Sequence, residues 1–140
     1  MEGQKRYIQN FWDLDVYQRL SRLRKVILIK VIPKLPREER FDLANQMRRA
    51  CKAACALLSE GFAKRFQIKH WQKYLTDTVG ECNEMIDHLT VVKEVYGAHL
   101  RQNSIEILIH EYKVCVKQLL ALGKSWSRYH NNKPPTFLNS

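Results

Sequence analysis

Residues 43–61 read LANQMRRACKAACALLSEG. Within this stretch Leu43, Met47, Ala50, Ala54, Leu57 and Gly61 recur every three or four residues, and Ala44, Cys51 and Leu58 widen the stripe. That is the period of an α-helix with one buried face. Ala50, Cys51, Ala53, Ala54, Cys55 and Ala56 keep the middle of the segment small. Small side chains let a neighbouring backbone come close, so this helix is expected at the centre of the fold. It is predicted to open at Pro36, a favourable first-turn residue. Glu38 and Glu39 follow where carboxylates complement the helix dipole. The helix runs at least to Glu60.

The same period extends in both directions. Upstream, Asp13 is the expected N-cap of a first helix. Its stripe is Leu14, Tyr17, Leu20, Ile27 and Val31, joined by Val16, Leu23 and Leu28. Val26 to Ile32 is β-branched enough to pass for a strand in isolation. Its helical period starts two turns earlier, however, and Pro33 and Pro36 end it. Downstream, a third helix is predicted from Gln67 to Tyr96, with Ile68, Trp71, Leu75, Val79, Cys82, Ile86, Leu89 and Tyr96 on one side. Gly80 inside it is read as a close helix contact, and Gly97 as the stop in the left-handed position. A fourth helix is predicted from Asn103, which has capping-box spacing to Glu106. Ile105, Leu108, Tyr112, Cys115, Leu119, Leu122 and Trp126 form its stripe, flanked by Ile109, Val116 and Leu120.

Four amphipathic helices with short connections predict an all-α fold, an antiparallel up-down-up-down four-helix bundle. The chain's 140 residues suit one domain. Residues 1–128 are assigned to the bundle. Residues 129–140, with Asn131, Asn132, Pro134 and Pro135 and no period, are assigned to a flexible C-terminal tail.

Several classes of function find no support. The longest bulky apolar run, Val26 to Ile29, is broken by Lys30 and falls far short of the roughly 20 residues a membrane span needs. No signal-peptide pattern follows Met1. The expectation is therefore a cytoplasmic protein without a membrane partner. Cys51, Cys55, Cys82 and Cys115 all fall in helical patterns, and a reduced thiol packs like a small apolar residue. No GxSxG, P-loop, GxGxxG, HExxH or CxxC pattern occurs. No Glu is followed three residues later by His, as a bundle di-iron site requires. Glu84 and His88 stand four apart, a spacing common on a solvated helix face. Catalytic residues, a cofactor and a metal are accordingly all expected to be absent.

Charge is more informative. The net charge is +10, and its placement is lopsided. Through Lys73 there are 17 Lys and Arg against 7 Asp and Glu; from Tyr74 on there are 7 against 7. Such asymmetry points to an anionic partner. Arg22 and Lys25 in the first helix, Arg48 and Lys52 in the second, and Arg65, Lys69 and Lys73 near the start of the third are the residues expected to contact phosphate. The last three, spaced i, i+4, i+8, are read as one row. No helix-turn-helix or zinc-finger pattern accompanies them, so the expected binding is sequence-tolerant and salt-sensitive.

A resemblance rests on Phe11, on Asp13-Leu14-Asp15-Val16-Tyr17-Gln18 and on Leu35-Pro36-Arg37-Glu38-Glu39-Arg40-Phe41. It continues through Gln46-Met47-Arg48-Arg49-Ala50, Glu60-Gly61, Trp71, Tyr74-Leu75, Gly80 and Glu84. In order and spacing, from Phe11 to Trp126, the chain resembles the four-helix-bundle proteins encoded in intervening sequences of bacterial 23S ribosomal RNA genes. The resemblance implies a ring-like homopentamer. It extends to the accessory proteins of diversity-generating retroelements, basic bundles that bind nucleic acid and a reverse transcriptase; the ending Leu122-Gly123-Lys124-Ser125-Trp126 is similar to theirs. The chain has Ala53 and Glu81 where the family usually has Ser, and Leu57 where it has Asn. Arg49, Glu60 and Glu84 keep the family's residues and are expected to form a charge cluster between helices or subunits. The expected function is that of a non-enzymatic scaffold on RNA or DNA backbone. The alternative is an adaptor that docks an acidic partner such as a reverse transcriptase.

Overall fold

Four helices build the computed structural model: α1 (Asp15–Val26), α2 (Leu43–Ala63), α3 (Ile68–Tyr96) and α4 (Gln102–Asn132). It describes residues 8–98 and 100–132, with side chains through Arg128, and no strand occurs among the described residues. Each helix packs on its neighbours in the chain, and α4 closes against α1, while the backbones of the diagonal pairs α1/α3 and α2/α4 stay further apart. Only four residues join α2 to α3. They span roughly 14 Å at most, whereas α2 is about 32 Å long, so the pair must run antiparallel. Side-chain pairings show the same direction. Arg49 meets Glu81 and Glu84, while Gly61, further along α2, lies against Trp71 and Tyr74, earlier in α3. Lys93 pairs with Glu106 at one end of α3/α4, and Trp71 with Trp126 at the other. Arg19 reaches Glu111 across α1/α4. The bundle is therefore up-down-up-down, as the sequence predicts.

The core is one layer of interdigitated side chains along the axis. Leu20, Ile27, Met47, Leu58, Trp71, Met85, Leu89, Ile105, Tyr112 and Leu119 are all sealed from solvent. Burial of each large apolar side chain contributes about 1.5–3 kcal/mol. In α3 the fully buried stripe is Trp71, Leu75, Thr78, Cys82, Met85, Leu89 and Val92. Ile68, Val79, Ile86 and Tyr96 flank it instead of filling its centre. Thr78 satisfies its hydroxyl locally, donating to the Tyr74 carbonyl at 2.7 Å. Phe62, Trp71 and Trp126 meet edge to face and close one end of the bundle. The Trp126 indole donates to the Arg65 carbonyl at 3.1 Å.

Several boundaries differ from the sequence expectation, each for a physical reason. Asp13 does not cap α1. It ends a 3-10 turn, Phe11–Asp13, and its carboxylate turns back to accept from the amides of Gln9 and Asn10. Leu14 is the residue at the N-cap. Beyond Val26 the helical path widens into a π turn, Ile27–Val31, and then tightens to a 3-10 turn, Ile32–Lys34. Pro33 accounts for this: it has no amide to give Ile29, and its ring would strike that carbonyl in a regular helix. The Ile32 amide donates to the Ile27 carbonyl five residues back. α2 begins at Leu43, not Pro36, because Pro36 caps a separate 3-10 turn, Arg37–Glu39. Glu39 still serves the helix start, accepting from the Leu43 amide at 3.3 Å.

The glycines exchange roles. Gly80 is exposed, and a Cβ there would meet nothing within 4 Å. The close helix approach is at Gly61, where a Cβ would sit 2.4 Å from the Tyr74 Cβ. Gly97 is right-handed (φ −57°), so it does not stop α3 in the left-handed position. α4 starts at Gln102, which puts Asn103 inside the first turn, and Glu106 faces Lys93 instead of the helix start. α4 also runs on to Asn132, so the residues assigned to the tail begin within it. The remainder of that assignment, residues 133–140, lies outside the described residues.

Two glycine substitutions should move stability in opposite directions. Gly61→Ala forces α2 off Tyr74 and is expected to cost about 1–3 kcal/mol. Gly80→Ala is expected to add roughly 0.5–1 kcal/mol by restricting the unfolded chain. Urea melts of the two variants measure both signs.

Candidate nucleic-acid interface

From Val16 to Arg37 the chain carries no Asp or Glu, and none occurs from Leu43 to Ser59. These segments form α1 after its first residue, Asp15, the π and 3-10 extension of α1 and most of α2, which are neighbours in the bundle. Within them cations have no acid neighbour in sequence; Asp15, Glu38, Glu39, Asp42 and Glu60 lie at their ends. Arg22 and Lys25 project from α1 and are exposed; Lys52 is exposed on α2, and Arg48 is half-buried there. Arg24, half-buried, donates to the Ser21 hydroxyl at 3.3 Å.

The acids lie elsewhere. Ion pairs between described residues all draw their carboxylate from α3 or α4: Arg19 with Glu111, Arg49 with Glu81 and Glu84, Lys73 with Asp77, and Lys93 with Glu106. Arg22, Lys25, Arg48 and Lys52 take part in none of them.

The expected row on the third helix does not form. Arg65 precedes α3, in the connection from α2. Its guanidinium donates to the Phe62 carbonyl at 2.9 Å and lies 4.0 Å and 4.5 Å from the ring centres of Phe62 and Phe66. Burial lowers its pKa. Arg65 fastens the α2–α3 turn, and Trp126 is bonded to its carbonyl. Lys73 is exposed, but its ammonium sits 2.8 Å from Asp77 one turn on. Lys69 is exposed with no ion pair to a described residue. The structure thus places Arg22 and Lys25 on α1, Arg48 and Lys52 on the neighbouring α2, and Arg65 outside the helix that carries Lys69 and Lys73.

The charge cluster is also differently composed. Arg49 grips Glu81 with two bonds of 3.1 Å and also donates to Glu84. Glu60 is exposed three turns further along α2 and takes no part. Its place is taken by Glu81, the residue that departs from the family's usual Ser. Glu81 keeps only 12% of its side chain exposed against 56% for Arg49. Burial pushes the Glu81 carboxyl above the usual carboxylate range, and the hydrogen bond with Glu81 holds Glu84 below it. The two carboxylates share one guanidinium, and the inner one depends on it for both of its strong bonds.

In the core, Cys51, Cys55, Cys82 and Cys115 are buried around Tyr112. Burial pushes the Cys55 thiol up to about 11 and that of Cys115 to about 12, with Cys82 raised further. Thiols so protonated are poor nucleophiles. Among the described residues, no three His, Cys, Asp or Glu side chains converge as a metal-binding group. No described helix is long and apolar enough to cross a membrane.

A family model described as "23S rRNA-intervening sequence protein" matches residues 12–121 of the chain. No curated protein matches it.

Arg49→Ala should cost about 1–2 kcal/mol, chiefly by stranding the Glu81 carboxylate, and Glu81→Ser in the same chain should recover most of the loss. Denaturant melts read the stability and light scattering the mass; if neither changes, the cluster has no structural role. A disulfide reagent at pH 8 should label none of the four thiols within minutes in the folded protein, and all four in guanidinium.

Proposed function

Because the chain belongs to the 23S rRNA-intervening sequence protein family, we propose that it is a nucleic-acid-associated scaffold, a binding protein and not a catalyst, that holds RNA or DNA backbone on the α1–α2 face. The observation that supports this reading is the absence of Asp and Glu from residues 16–37 and 43–59, where Arg22, Lys25, Arg48 and Lys52 have no ion pair to a described residue. A cation already paired gives up one partner for another when it meets phosphate. An unpaired cation has only water and counterions to displace, and the release of the phosphates' counterions drives association. The four residues present charge without a fixed pattern of donors for base edges, so the binding is sequence-tolerant. The proposed setting is the cytosol. The proposed assembly is a homopentamer, which would repeat the face five times and multiply a weak contact by avidity.

One observation favours a second reading. Ile29, 60% exposed, follows Arg22 and Lys25 at helical spacing. An apolar side chain among cations suits an acidic protein surface, such as that of a reverse transcriptase, better than a phosphate backbone. A pull-down with and without nuclease treatment separates the two.

Fluorescence anisotropy with a labelled RNA at rising salt tests the leading reading. Affinity should fall steeply with salt. Reversing Arg48 and Lys52 together (R48E/K52E) should weaken binding about tenfold or more at low salt and reduce the salt slope by about 2. Lys73→Glu should change affinity by no more than about twofold. Binding indifferent to salt, or absent at low salt, defeats the proposal. Light scattering should give a mass near five times the 16.6 kDa chain.

A further inference from the structure

Phe41 is the most exposed large apolar side chain described, with 85% of its surface in solvent. It stands where the chain leaves the 3-10 turn Arg37–Glu39 and approaches α2. The Arg40 guanidinium lies 5.2 Å from its ring centre. Arg40 in turn borders a cleft of about 350 Å³ together with Arg37 and Arg48, between Pro33 and Pro36 and the start of α2. No carboxylate lines this cleft. Of the three acids nearby in sequence, Glu39 accepts from the Leu43 amide and the Tyr96 hydroxyl. Asp42 accepts from the Gln46 amide nitrogen at 2.9 Å. Glu38 is exposed on the turn.

An aromatic ring held out in water costs free energy that burial would recover. Three arginines converging on one cleft have a matching demand for an anion that can accept paired hydrogen bonds. The two demands adjoin through Arg40. We infer that this corner of the molecule is a site for an unpaired nucleotide, with its base stacked on Phe41 and its phosphate in the cleft of Arg37, Arg40 and Arg48. A duplex keeps its bases against one another and offers a protruding ring nothing to stack on. A single strand, loop or bulge offers base faces of any identity. With Arg40 on one side of the ring, a base on the other completes a guanidinium–ring–base stack. The site rests on the proposed backbone binding by the α1–α2 face and deepens it: the cations of that face hold phosphate generally, while Phe41 selects strands whose bases are free.

The test uses a labelled oligouridylate, an abasic strand of equal length and charge, and a duplex, all at one salt concentration. Wild-type protein should bind the oligouridylate about tenfold or more tighter than the abasic strand. Phe41→Ala should remove that preference and leave abasic binding unchanged, while Phe41→Trp should keep it. Arg40→Ala should weaken both strands. The side chain is exposed, so these variants should fold, and thermal melts verify that they do. The inference is overturned if Phe41→Ala retains the preference for bases, or if it lowers the particle mass in light scattering, which would make Phe41 a contact between copies. Polyanion binding with equal affinity for all three probes overturns it while leaving the backbone reading intact. Failure of wild type to bind any probe at low salt removes both.

Discussion

The close approach of α2 to α3 at Gly61 governs the arrangement. With Tyr74 and Trp71 lying directly on that glycine, the two backbones draw together at one end of the bundle. There is then room for Phe62, Trp71 and Trp126 to close edge to face beneath the connection. The register follows from that contact: with Gly61 seated against Tyr74, Arg49 falls opposite Glu81 and Glu84. Antiparallel packing and short connections carry the same register to α4 and back to α1.

Fixing the register also sorts the charges. Two acid-free segments, 16–37 and 43–59, precede α3, and the acids from Asp77 on are spread along α3 and α4. Because α1 and α2 are neighbours, the two acid-free segments pack side by side. Had the connections crossed over, α1 would sit beside α3 and its cations would find carboxylates across the interface, as Arg19 does at Glu111. The proposed cationic face would thus be a consequence of topology as much as of composition.

Much of this was legible in the sequence. Helix number, connectivity and core composition followed from the 3.6-residue period, because a buried stripe is a repeated signal that single exceptions do not erase. Positions that depend on one residue were harder to read. Asp13 and Pro36 have the chemistry of helix starts, but Asp13 ends one 3-10 turn and Pro36 caps another. The π turn had a visible cause in Pro33, yet periodicity does not show how a helix accommodates a proline. Gly80 and Gly61 look alike in sequence, and only the position of Tyr74 tells them apart. In the candidate site, Arg22, Lys25, Arg48 and Lys52 stood out as charge, and they lie on two neighbouring helices. Arg65 did not reveal that it would lie between two phenylalanine rings, nor Lys73 that Asp77 would hold it. Glu81 read as a departure from the family pattern, when it is the acid that Arg49 holds most firmly. Phe41, apolar and near a proline, gave no sign that it would be left in water.

The carboxylate-free face also carries a cost within the folded molecule. Cations gathered on neighbouring helices repel one another, and no local acid relieves the strain, whereas the pairs on α3 and α4 attract. Dissolved ions act on both, weakening the attraction on one flank and damping the repulsion on the other. The two flanks therefore respond to brine in opposite senses. As the bath grows more concentrated, repulsion within the α1–α2 hairpin eases while the pairs that α3 and α4 supply loosen.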